Sequence, residues 1–468
     1  MVFSSNIFMF AFLPLCLGGY YILPKKLRNA FLTLASLCFY AWGEPRMVWV
    51  MLCSIIINYC GGLLLSAFEQ KAAKRAAMVL VVALNLGLLG YFKYANFFVD
   101  SVNAIAGTHI ALAKIALPIG ISFFTFQGMS YVLDVYMGTA KVQRNPLHIM
   151  LYISLFPQLV AGPIVRYQDI SEQIVQREVT TDAFFDGIWR FAVGLGKKVL
   201  LANQFASIAD EIFGRPIASN SVAVAWLGAI AYTMQIYFDF CGYSDMAIGL
   251  GKMLGFRFCE NFNYPYISRS VTEFWRRWHI SLSTWFRDYV YIPMGGNRRG
   301  NQYFHLIVVF LLTGLWHGAA WNFVLWGLWH GAFLIVEKVL QKRKIPIKVP
   351  SLLQWLYTMG VVVLGWILFR ANSPFDAIQY VRRMVGLKAF VDGGYTLGWY
   401  LHLREVLLLV AAVLACVPWK KVFPATAEKL HATTTGLVLK CVLALALLLS
   451  SIALLMTGTY NPFIYFRF

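Results

Sequence analysis

Apolar runs long enough to cross a lipid bilayer recur along this sequence, and they constrain its fold more than any other feature. One helical span needs about 20 predominantly apolar residues. Candidate spans lie near residues 6–23, 29–42, 46–67, 76–92, 147–163, 184–202, 221–253, 303–316, 321–337, 352–370, 403–418 and 436–457. Only 13% of the residues are charged, against about 25% in a typical soluble domain. The sequence therefore predicts an all-α polytopic membrane protein with roughly ten to twelve transmembrane or re-entrant helices.

Positive charge lies between the apolar runs, where it predicts the orientation of the chain. The formal net charge is +19, and basic clusters lie at Lys25–Arg28, Lys71–Arg75, Arg298–Arg299 and Lys338–Lys344. Positively charged loops stay on the cytoplasmic side, and the two predicted spans between the first two clusters place both of them there. The first apolar run lacks a preceding basic segment and a small-residue cleavage site, so we expect a retained span.

The same charge distribution narrows the classes of partner. Basic residues that are scattered between apolar spans form no contiguous basic domain, which argues against a nucleic-acid-binding protein. Anionic headgroups of membrane lipids and an anionic cytosolic substrate are the expected partners.

The organisation predicted for the chain is one membrane domain, residues 1–468. Polar, motif-like residues concentrate in a core at about 90–335, and the helices of about 350–468 are expected to pack and anchor. Neither half of the sequence repeats the other, whereas many transporters contain two related halves.

Two stretches of the core differ from simple spans. Residues 116–138 are apolar but are predicted to be broken by Pro118, Gly120 and Gly128, and residues 155–170 contain two prolines. Irregular backbone persists at membrane depth only where it is buried in protein or lines a wet cavity. We therefore expect a cavity with re-entrant turns here, with ordinary interfacial helices as the alternative.

The pentapeptide GLWHG occurs twice, at 314–318 and 327–331, and each copy places a histidine in an apolar run. His317 and His330 are thirteen residues apart, which on one continuous helix is roughly 20 Å of rise and well over about a hundred degrees of rotation. On such a helix the two imidazoles would not share a metal ion or a proton, so the copies are expected to play different parts.

His317 is expected to lie within the membrane. A helix from Tyr303 to Trp316 follows the basic turn at 295–300 and rises only about 21 Å, short of the roughly 30 Å hydrocarbon core. An ionisable side chain at that depth is costly and is a functional-site hypothesis by default. The alternative is a histidine that hydrogen-bonds a neighbouring helix.

Residues 271–300 concentrate charged and aromatic side chains. The arginines of this stretch are Arg276, Arg277, Arg287, Arg298 and Arg299. Tryptophan together with arginine indicates a membrane interface, and clustered arginines bind phosphates through bidentate hydrogen bonds. The alternative is an interfacial helix whose arginines merely extend towards water.

Two aspartates, Asp239 and Asp245, lie in the apolar stretch 232–256. Carboxylates inside a membrane need partners, and the arginines of 276–287 are the expected ones because they are near in sequence. A structural ion-pair network is favoured over a proton path.

Three strings carry a family resemblance: "YFDFCGYSDMAIGLG", "TEFWRRWHISLSTWFRDYVYIPMGGNRRG" and "LTGLWHGAAWNFVLWGLWHG". Together with "LPIGISFFTFQGMSYVLDVY" and "LFPQLVAGPIVR" upstream, they strongly resemble the membrane-bound O-acyltransferase (MBOAT) family, and most of all its alginate O-acetylation branch. The resemblance covers essentially the whole chain.

The resemblance implies a ring-like arrangement of helices around a catalytic tunnel. It makes His317, the histidine of the first WHG motif, the catalytic general base and His279 the second characteristic polar residue, while His330 packs its helix or lines the tunnel. The candidates for binding the substrate or the acyl donor are Arg276, Arg277, Arg287, Trp316, Asp239, Asp245 and Asn297. No metal and no bound cofactor are implied.

The implied activity is transfer of an acetyl group from cytosolic acetyl-CoA across the membrane to hydroxyls of an extracytoplasmic, alginate-like polysaccharide. A separate SGNH-hydrolase-like protein is the expected partner, and the bacterial cytoplasmic (inner) membrane is the expected location. Direct transfer and an acyl-enzyme intermediate both stay open.

Several alternatives remain at this point. Related enzymes of the family acylate peptidoglycan, acetylate cellulose, or pass D-alanine from a carrier protein to teichoic acid. In other classes, a polysaccharide transporter would use the same polar residues as a substrate path, and an assembly scaffold would tolerate the loss of His317.

Overall fold

The computed structural model describes residues 1–343, 349–387, 395–426, 428, 433–458 and 460–464. Within these ranges the regular structure is helical, without a strand, and an isolated bridge joins Asn220 and Tyr395. The predicted all-α polytopic class is confirmed. Lys344 of the predicted basic clusters lies outside the described residues.

The helices fall into two compact units. The first comprises Met1–Phe191 and Tyr243–Cys259. Its helices are α1 (Leu13–Ile22), α2 (Arg28–Gly43), α3 (Val48–Ala67), α4 (Lys71–Leu89), α5 (Ala95–Ala106), α6 (Ile121–Met137), α7 (Pro146–Ser154), α8 (Phe156–Leu159) and α9 (Tyr167–Val175), followed by the start of α10 (Thr181–Gly196).

The second unit comprises Ala192–Gly242 and Glu260–Phe468. Its helices are α11 (Asn203–Gly214), the first part of α12 (Val222–Met253), α13 (Val271–Arg277), α14 (Ile280–Phe286), α15 (Gln302–His317), α16 (Trp321–Lys342), α17 (Ser351–Arg370), α18 (Pro374–Met384), α19 (Leu403–Ala415), α20 (Trp419–Val422) and α21 (Thr434–Thr457). The assignment of the whole chain to one membrane domain stays a prediction.

Five helices among the described residues are long and apolar enough to cross a membrane. They are α3, the continuous run Lys71–Ala106 that includes α4 and α5, α16, α17 and α21. Phe8–Ile22 and Gln302–His317 are shorter apolar helices. The predicted run at 221–253 is one helix, α12, of 32 residues, and most of its side chains are buried.

In the first unit, α6 is continuous and buried along most of its length. A Cβ on Gly128 would clash with the amide of Asn58. Asn58 and Asn85 in turn exchange two side-chain hydrogen bonds, of 2.9 and 3.1 Å. The prediction that Gly128 breaks this run was wrong, because a small residue there lets α3 pack closely on α6.

The stretch 155–170 is irregular, as expected. α7 ends at Ser154, α8 contains only 4 residues, and α9 begins at Tyr167. The side chains of 155–165 are buried, which satisfies the condition for irregular backbone at membrane depth. Arg166 then forms a bidentate pair with Asp169, at 2.9 and 2.8 Å.

Candidate active site

The two GLWHG copies meet in the antiparallel hairpin that α15 and α16 form in the second unit. A Cβ on Gly314 would clash with the carbonyl oxygen of Phe323, and a Cβ on Gly327 would clash with that of Phe310. The first glycine of each copy is therefore where the two helices touch backbone to backbone. The repeated pentapeptide therefore serves first to pack α15 against α16, and only second to place its histidines.

His317 is the last residue of α15, and Gly318 continues in extended backbone with φ −167° and ψ 153°. His317 and His330 thus lie on separate helices, so the geometry of one continuous helix does not apply to them. The ring centroids of His317 and His330 lie 5.0 and 5.1 Å from that of Trp326. The two imidazoles flank one indole.

His317 lies in an aromatic pocket and is only 5% exposed. Its ring centroid is 5.0 Å from that of Trp316 and 5.2 Å from that of Phe369. It borders a small cavity of about 10 Å³, called the histidine cavity here. The cavity is lined by Ile236, Phe240, Trp278, His317, Trp366, Phe369 and Ile464.

His279 is held between α13 and α14 in a strained backbone conformation. Its φ of 45° and ψ of 52° place it in the left-handed region, which costs a residue with a side chain about 1–3 kcal/mol. The side-chain oxygen of Asn261 lies 3.1 Å from His279 Nδ1 and accepts a hydrogen bond of 2.9 Å from the Ser281 hydroxyl. The Asn261 carbonyl accepts a hydrogen bond from Ile280 N.

The structure brings the two predicted catalytic histidines together. The ring centroids of His279 and His317 are 6.2 Å apart, and Trp316 contacts both rings. His279 lies outside the five spans, and burial lowers the pKa of its imidazole to about 3. The ring is therefore neutral at cytosolic pH, because an apolar surrounding disfavours the imidazolium.

His330 lies deeper in the aromatic cluster and is fully buried. Its ring centroid lies 5.2 Å from that of Trp275 and 6.4 Å from that of Trp366. A Cβ on Gly365 would lie 2.7 Å from His330 Nε2, so this glycine leaves room for the imidazole. Neither ring nitrogen of His330 has a hydrogen-bond partner among the described residues.

The three candidate arginines separate into two groups. Arg276 and Arg287 line a mostly apolar cleft of about 200 Å³, called the apolar cleft here. The other residues of its lining are Thr272, Trp275, Leu282, Ser283, Phe286, Tyr291, Leu306, Val309, Phe310, Thr313 and Leu334. Arg277 instead pairs with Glu273 at 2.8 Å and donates to the Asn263 carbonyl oxygen.

Asn297 lines a second, open cleft of about 720 Å³, called the polar cleft here. The other residues of its lining are Gly300, Asn301, Gln302, Tyr303, Lys338, Gln341 and Lys342. The Asn297 side-chain oxygen accepts hydrogen bonds from Lys338 Nζ at 2.6 Å and from the Tyr291 hydroxyl at 2.7 Å. Tyr291 also lines the apolar cleft, so these three residues link the two clefts.

The aspartates have partners that the sequence did not predict. In the second unit, Asp239 pairs with Lys198 at 2.6 Å, and both side chains are about 2% exposed. In the first unit, Asp245 pairs with Arg190 at 2.6 Å. The expectation that arginines of 276–287 would pair with these aspartates was wrong, because proximity in sequence does not decide contacts between helices.

Two further polar residues of the site were missed at the level of sequence. Asn261 positions His279, and Glu337 of α16 accepts hydrogen bonds from Val271 N at 2.7 Å and Thr272 N at 2.9 Å. Glu337 thereby satisfies the first amide groups of α13 and ties that helix to α16. A glutamate in an apolar helix was the available signal for Glu337, whereas Asn261 carried none.

The fold and the site define a class of protein: an all-helical membrane protein in which two buried histidines meet beside a small aromatic cavity. The MBOAT, membrane-bound O-acyltransferase family, matches residues 139–373, about half of the chain, and this range includes both histidines. The chain belongs to this family and is a membrane acyltransferase. Membership decides for the enzyme over the transporter and the scaffold.

Curated relatives are similar to this chain over most of their length. A "Probable alginate O-acetylase AlgI" of Pseudomonas putida is 42% identical over 499 residues, covering 100% of both chains. A protein of the same name from Azotobacter vinelandii is 47% identical over 381 residues, 80% of this chain and 76% of its own. A "Peptidoglycan O-acetyltransferase" of Helicobacter pylori is 37% identical over 423 residues, 83% of this chain and 80% of its own.

Proposed function

We propose that this protein is an O-acetyltransferase of the bacterial cytoplasmic membrane. In this proposal it moves acetyl groups from cytosolic acetyl-CoA towards hydroxyls of an extracytoplasmic polysaccharide. The observation that carries the proposal is the pairing of His279 and His317, whose ring centroids are 6.2 Å apart beside the histidine cavity. The names of relatives that match 80% and 100% of this chain support an O-acetyl group and an alginate-like acceptor.

The two clefts fit the two chemical halves of coenzyme A. A nucleotide with phosphates suits the polar cleft, where Lys338 and Lys342 supply positive charge. An apolar pantetheine arm suits the apolar cleft, with Arg276 and Arg287 at its wall. Guanidinium groups bind phosphate oxygens in bidentate pairs. Arg276 and Arg287 are therefore assigned to the donor rather than to Asp239 and Asp245, and Arg287 would exchange its pair with Asp288, at 2.6 and 3.1 Å, for the phosphate.

The chemistry assigned to His317 is general base catalysis. The imidazole accepts the proton of the attacking hydroxyl group while the oxygen of that hydroxyl forms a bond to the thioester carbonyl carbon. The carbon–sulfur bond then breaks, and coenzyme A leaves as a thiolate that takes up the proton. Such positioned proton transfer typically contributes about 10²–10⁴-fold in rate. The aromatic side chains around His317 exclude bulk water, which limits hydrolysis of the thioester.

His279 is assigned a positioning role behind the cavity lining, where its ring contacts Phe240 and His317. Its ring is held by Asn261 on one side and lies against Trp316 on the other. A neutral imidazole in this position orients an acceptor hydroxyl or the His317 ring without adding charge to an apolar pocket. The proposal leaves direct transfer and an acyl-enzyme route equally open.

Completion of the reaction is assigned to a partner protein. An SGNH-hydrolase-like acetyltransferase outside the membrane is proposed to place the acetyl group on the polymer. The alternative with a specific observation behind it is peptidoglycan as the acceptor, because the Helicobacter pylori relative of that name matches 83% of this chain.

The test uses the purified chain in liposomes with acetyl-CoA labelled in the acetyl group, with and without a co-expressed SGNH-type partner. We expect release of coenzyme A and transfer of label to alginate oligosaccharides in preference to peptidoglycan fragments. His317→Ala should lower turnover at least about 100-fold while the protein stays folded. The exposed His402 provides the matched control His402→Ala.

Each outcome decides between the alternatives. If the wild-type protein turns over no acetyl-CoA with any partner, the acyl donor would instead be an acylated carrier protein. Transfer to peptidoglycan fragments alone would replace the acceptor. Equal turnover by wild type and folded His317→Ala would remove His317 from the chemistry.

A further inference from the structure

The short segment Tyr460–Ile464 follows α21 and returns to the interior of the second unit. Phe463 and Ile464 are 5% and 3% exposed. Ile464 lines the histidine cavity together with His317 and Phe369. A segment expected only to pack and anchor thus reaches the residues assigned to the chemistry.

The buried ion pair of the second unit holds this segment by its backbone. Asp239 accepts a hydrogen bond of 2.8 Å from the backbone N–H of Ile464 through one carboxylate oxygen and binds Lys198 through the other, at 2.6 Å. Lys198 also donates to the carbonyl oxygen of Pro462. Both members of the pair therefore bind the segment as well as each other.

Two weaker contacts fix the residues before this point. The Asn203 side chain donates to the side-chain oxygen of Asn461 at 3.1 Å. The Tyr460 hydroxyl donates to Asp210 at 2.6 Å. The segment is therefore held at successive positions from Tyr460 to Ile464.

An ion pair that is almost fully buried is a poor way to gain stability. Removing two charges from water costs about as much as their attraction returns, and apolar residues of the same volume often do better. What such a pair does provide is structural specificity, because a carboxylate and an ammonium bind only donors and acceptors that are correctly placed. Here the pair fixes the position of the Ile464 backbone next to His317.

We propose that Tyr460–Ile464 is a wall of the reaction site and that the Ile464 side chain limits the size of the acyl group accepted beside His317. Lys198 and Asp239 are the positioning residues for this wall. The inference rests on the proposed acyl transfer and deepens it, since it names what selects a two-carbon acyl group. The histidine cavity, at about 10 Å³, is lined by aromatic rings and by the two aliphatic side chains of Ile236 and Ile464. Of these two, Ile464 is the one whose backbone the buried ion pair holds in place.

The first test compares acetyl-CoA with butyryl-CoA as donors. Wild type should prefer acetyl-CoA, and Ile464→Ala should raise the butyryl-to-acetyl ratio of kcat/KM by about tenfold or more, the discrimination that one or two methylenes give in an apolar pocket. Ile464→Val should shift the ratio less in the same direction. The matched control is Val362→Ala, which removes buried bulk from the same aromatic cluster but not from the cavity lining.

An unchanged ratio in folded Ile464→Ala and Ile464→Val would overturn the proposal. An equal increase in Val362→Ala would overturn it as well, because general loosening of the core would then explain the effect.

The second test does not depend on activity. Ile464→Cys is treated with a small maleimide in detergent, and modification at position 464 is followed by mass spectrometry of the peptide. The thiol should react slowly when Lys198 and Asp239 are intact and at least about tenfold faster when Lys198→Met or Asp239→Asn opens the wall. Glu211→Gln, which removes an exposed ion pair with Arg215, is the control and should leave the rate unchanged.

The two tests distinguish a failure of the proposed wall from a failure of the proposed acyl transfer. Fast labelling of Ile464→Cys with both Lys198 and Asp239 intact would show that Tyr460–Ile464 does not form a wall of the site. If wild type transferred neither acetyl nor butyryl groups while position 464 stayed protected, the proposed acyl-CoA reaction would fail and the positioning by the ion pair would stand. Asp239→Asn should also raise the butyryl-to-acetyl ratio, which a merely structural pair would leave unaltered.

Discussion

At the scale of single residues, His330 is the side chain whose chemistry fits its surroundings least. It is fully buried among Trp275, Trp326 and Trp366. Neither of its ring nitrogens has a hydrogen-bond partner among the described residues. A buried polar group without a partner costs about 1–3 kcal/mol.

We therefore expect His330→Phe to keep acyl transfer within about twofold and to leave the free energy of unfolding unchanged or raised by about 1 kcal/mol. The phenyl ring has a similar shape and needs no hydrogen bond. Turnover of coenzyme A and SDS titration in mixed micelles measure the two effects. A large loss of turnover in a stable His330→Phe protein would instead place this imidazole on the substrate path.

Asn261 should act through His279 rather than on the substrate. Asn261→Ala removes the oxygen that lies 3.1 Å from His279 Nδ1 and accepts from the Ser281 hydroxyl. We expect a loss of stability of about 1–3 kcal/mol and a fall in kcat that exceeds any change in KM. The exposed neighbour Asn263 gives the control Asn263→Ala. Unchanged kcat in Asn261→Ala would show that His279 keeps its orientation without this partner.

The sequence singled out the two histidines that the structure brings together, but not their hydrogen-bond and ion-pair partners. His279 and His317 stand in ordered motifs, so a resemblance could assign them. Asn261 lies 18 residues before His279, and Lys198 lies 264 residues before the Pro462 carbonyl that it binds. Such contacts follow from the packing of whole helices, which no local pattern encodes.

At the scale of secondary-structure elements, the α15–α16 hairpin depends on two glycines. Gly314 faces the Phe323 carbonyl and Gly327 faces that of Phe310, each without room for a Cβ. The repeat GLWHG was visible in the sequence. That its copies face each other became clear only once α15 ended at His317 and the chain reversed.

Gly314→Ala should separate the two helices and lower stability by about 1–3 kcal/mol, as overpacking in a closely packed interior does. Because α15 carries His317, transfer activity should fall too. Gly360→Ala in α17 is the matched control, since nothing lies within 4 Å of a Cβ there. That change should raise stability by about 0.5–1 kcal/mol. Equal effects of the two substitutions on unfolding in SDS would contradict backbone contact at Gly314.

Element boundaries were predictable where a residue changes the backbone and not where it only changes packing. Gly120, with φ of 74°, is the N-cap residue directly before α6, and Pro157 lies in the first turn of α8. Gly128 is a glycine as well, but it lies inside a continuous helix and packs against Asn58. The difference depends on which neighbour the glycine faces, and that is a property of the fold.

At the scale of the whole molecule, the surface of the described helices is that of a protein in lipid. α21 is the extreme case, with only 11% of its most apolar window buried. Its exposed side chains include Leu437, Val438, Val442, Leu445 and Leu449. Contiguous apolar surface of this extent is unstable in water, so composition alone sufficed to predict the class of protein.

Composition did not distinguish helices that face lipid from helices that form the interior. α12 and α21 were both predicted as spans, yet most side chains of α12 are buried and those of α21 are mostly exposed. Carboxylates were the available signal, since Asp239 and Asp245 of α12 require partners inside the protein.

The orientation of the first unit yields a prediction about which helices cross the membrane. Because α3 is long and apolar enough to cross, Lys25–Arg28 and Lys71–Arg75 share the cytoplasmic side only if α2 crosses as well. α3 has 20 residues and reaches the needed length, whereas α2 has 16 residues and rises only about 24 Å. Two clusters of positive charge on one side favour crossing, and local thinning of the bilayer accommodates a short helix at modest cost.

Lys26→Cys and Lys74→Cys should therefore both resist a membrane-impermeant maleimide in intact cells and react after permeabilisation. Arg46→Cys, in the exposed turn between α2 and α3, should react in intact cells and serves as the reference for the opposite side. Mass spectrometry of the labelled peptides distinguishes these positions from native cysteines. If Lys26→Cys reacts in intact cells while Lys74→Cys stays protected, α2 does not cross, and the N-terminal basic cluster lies on the outer side against the charge rule.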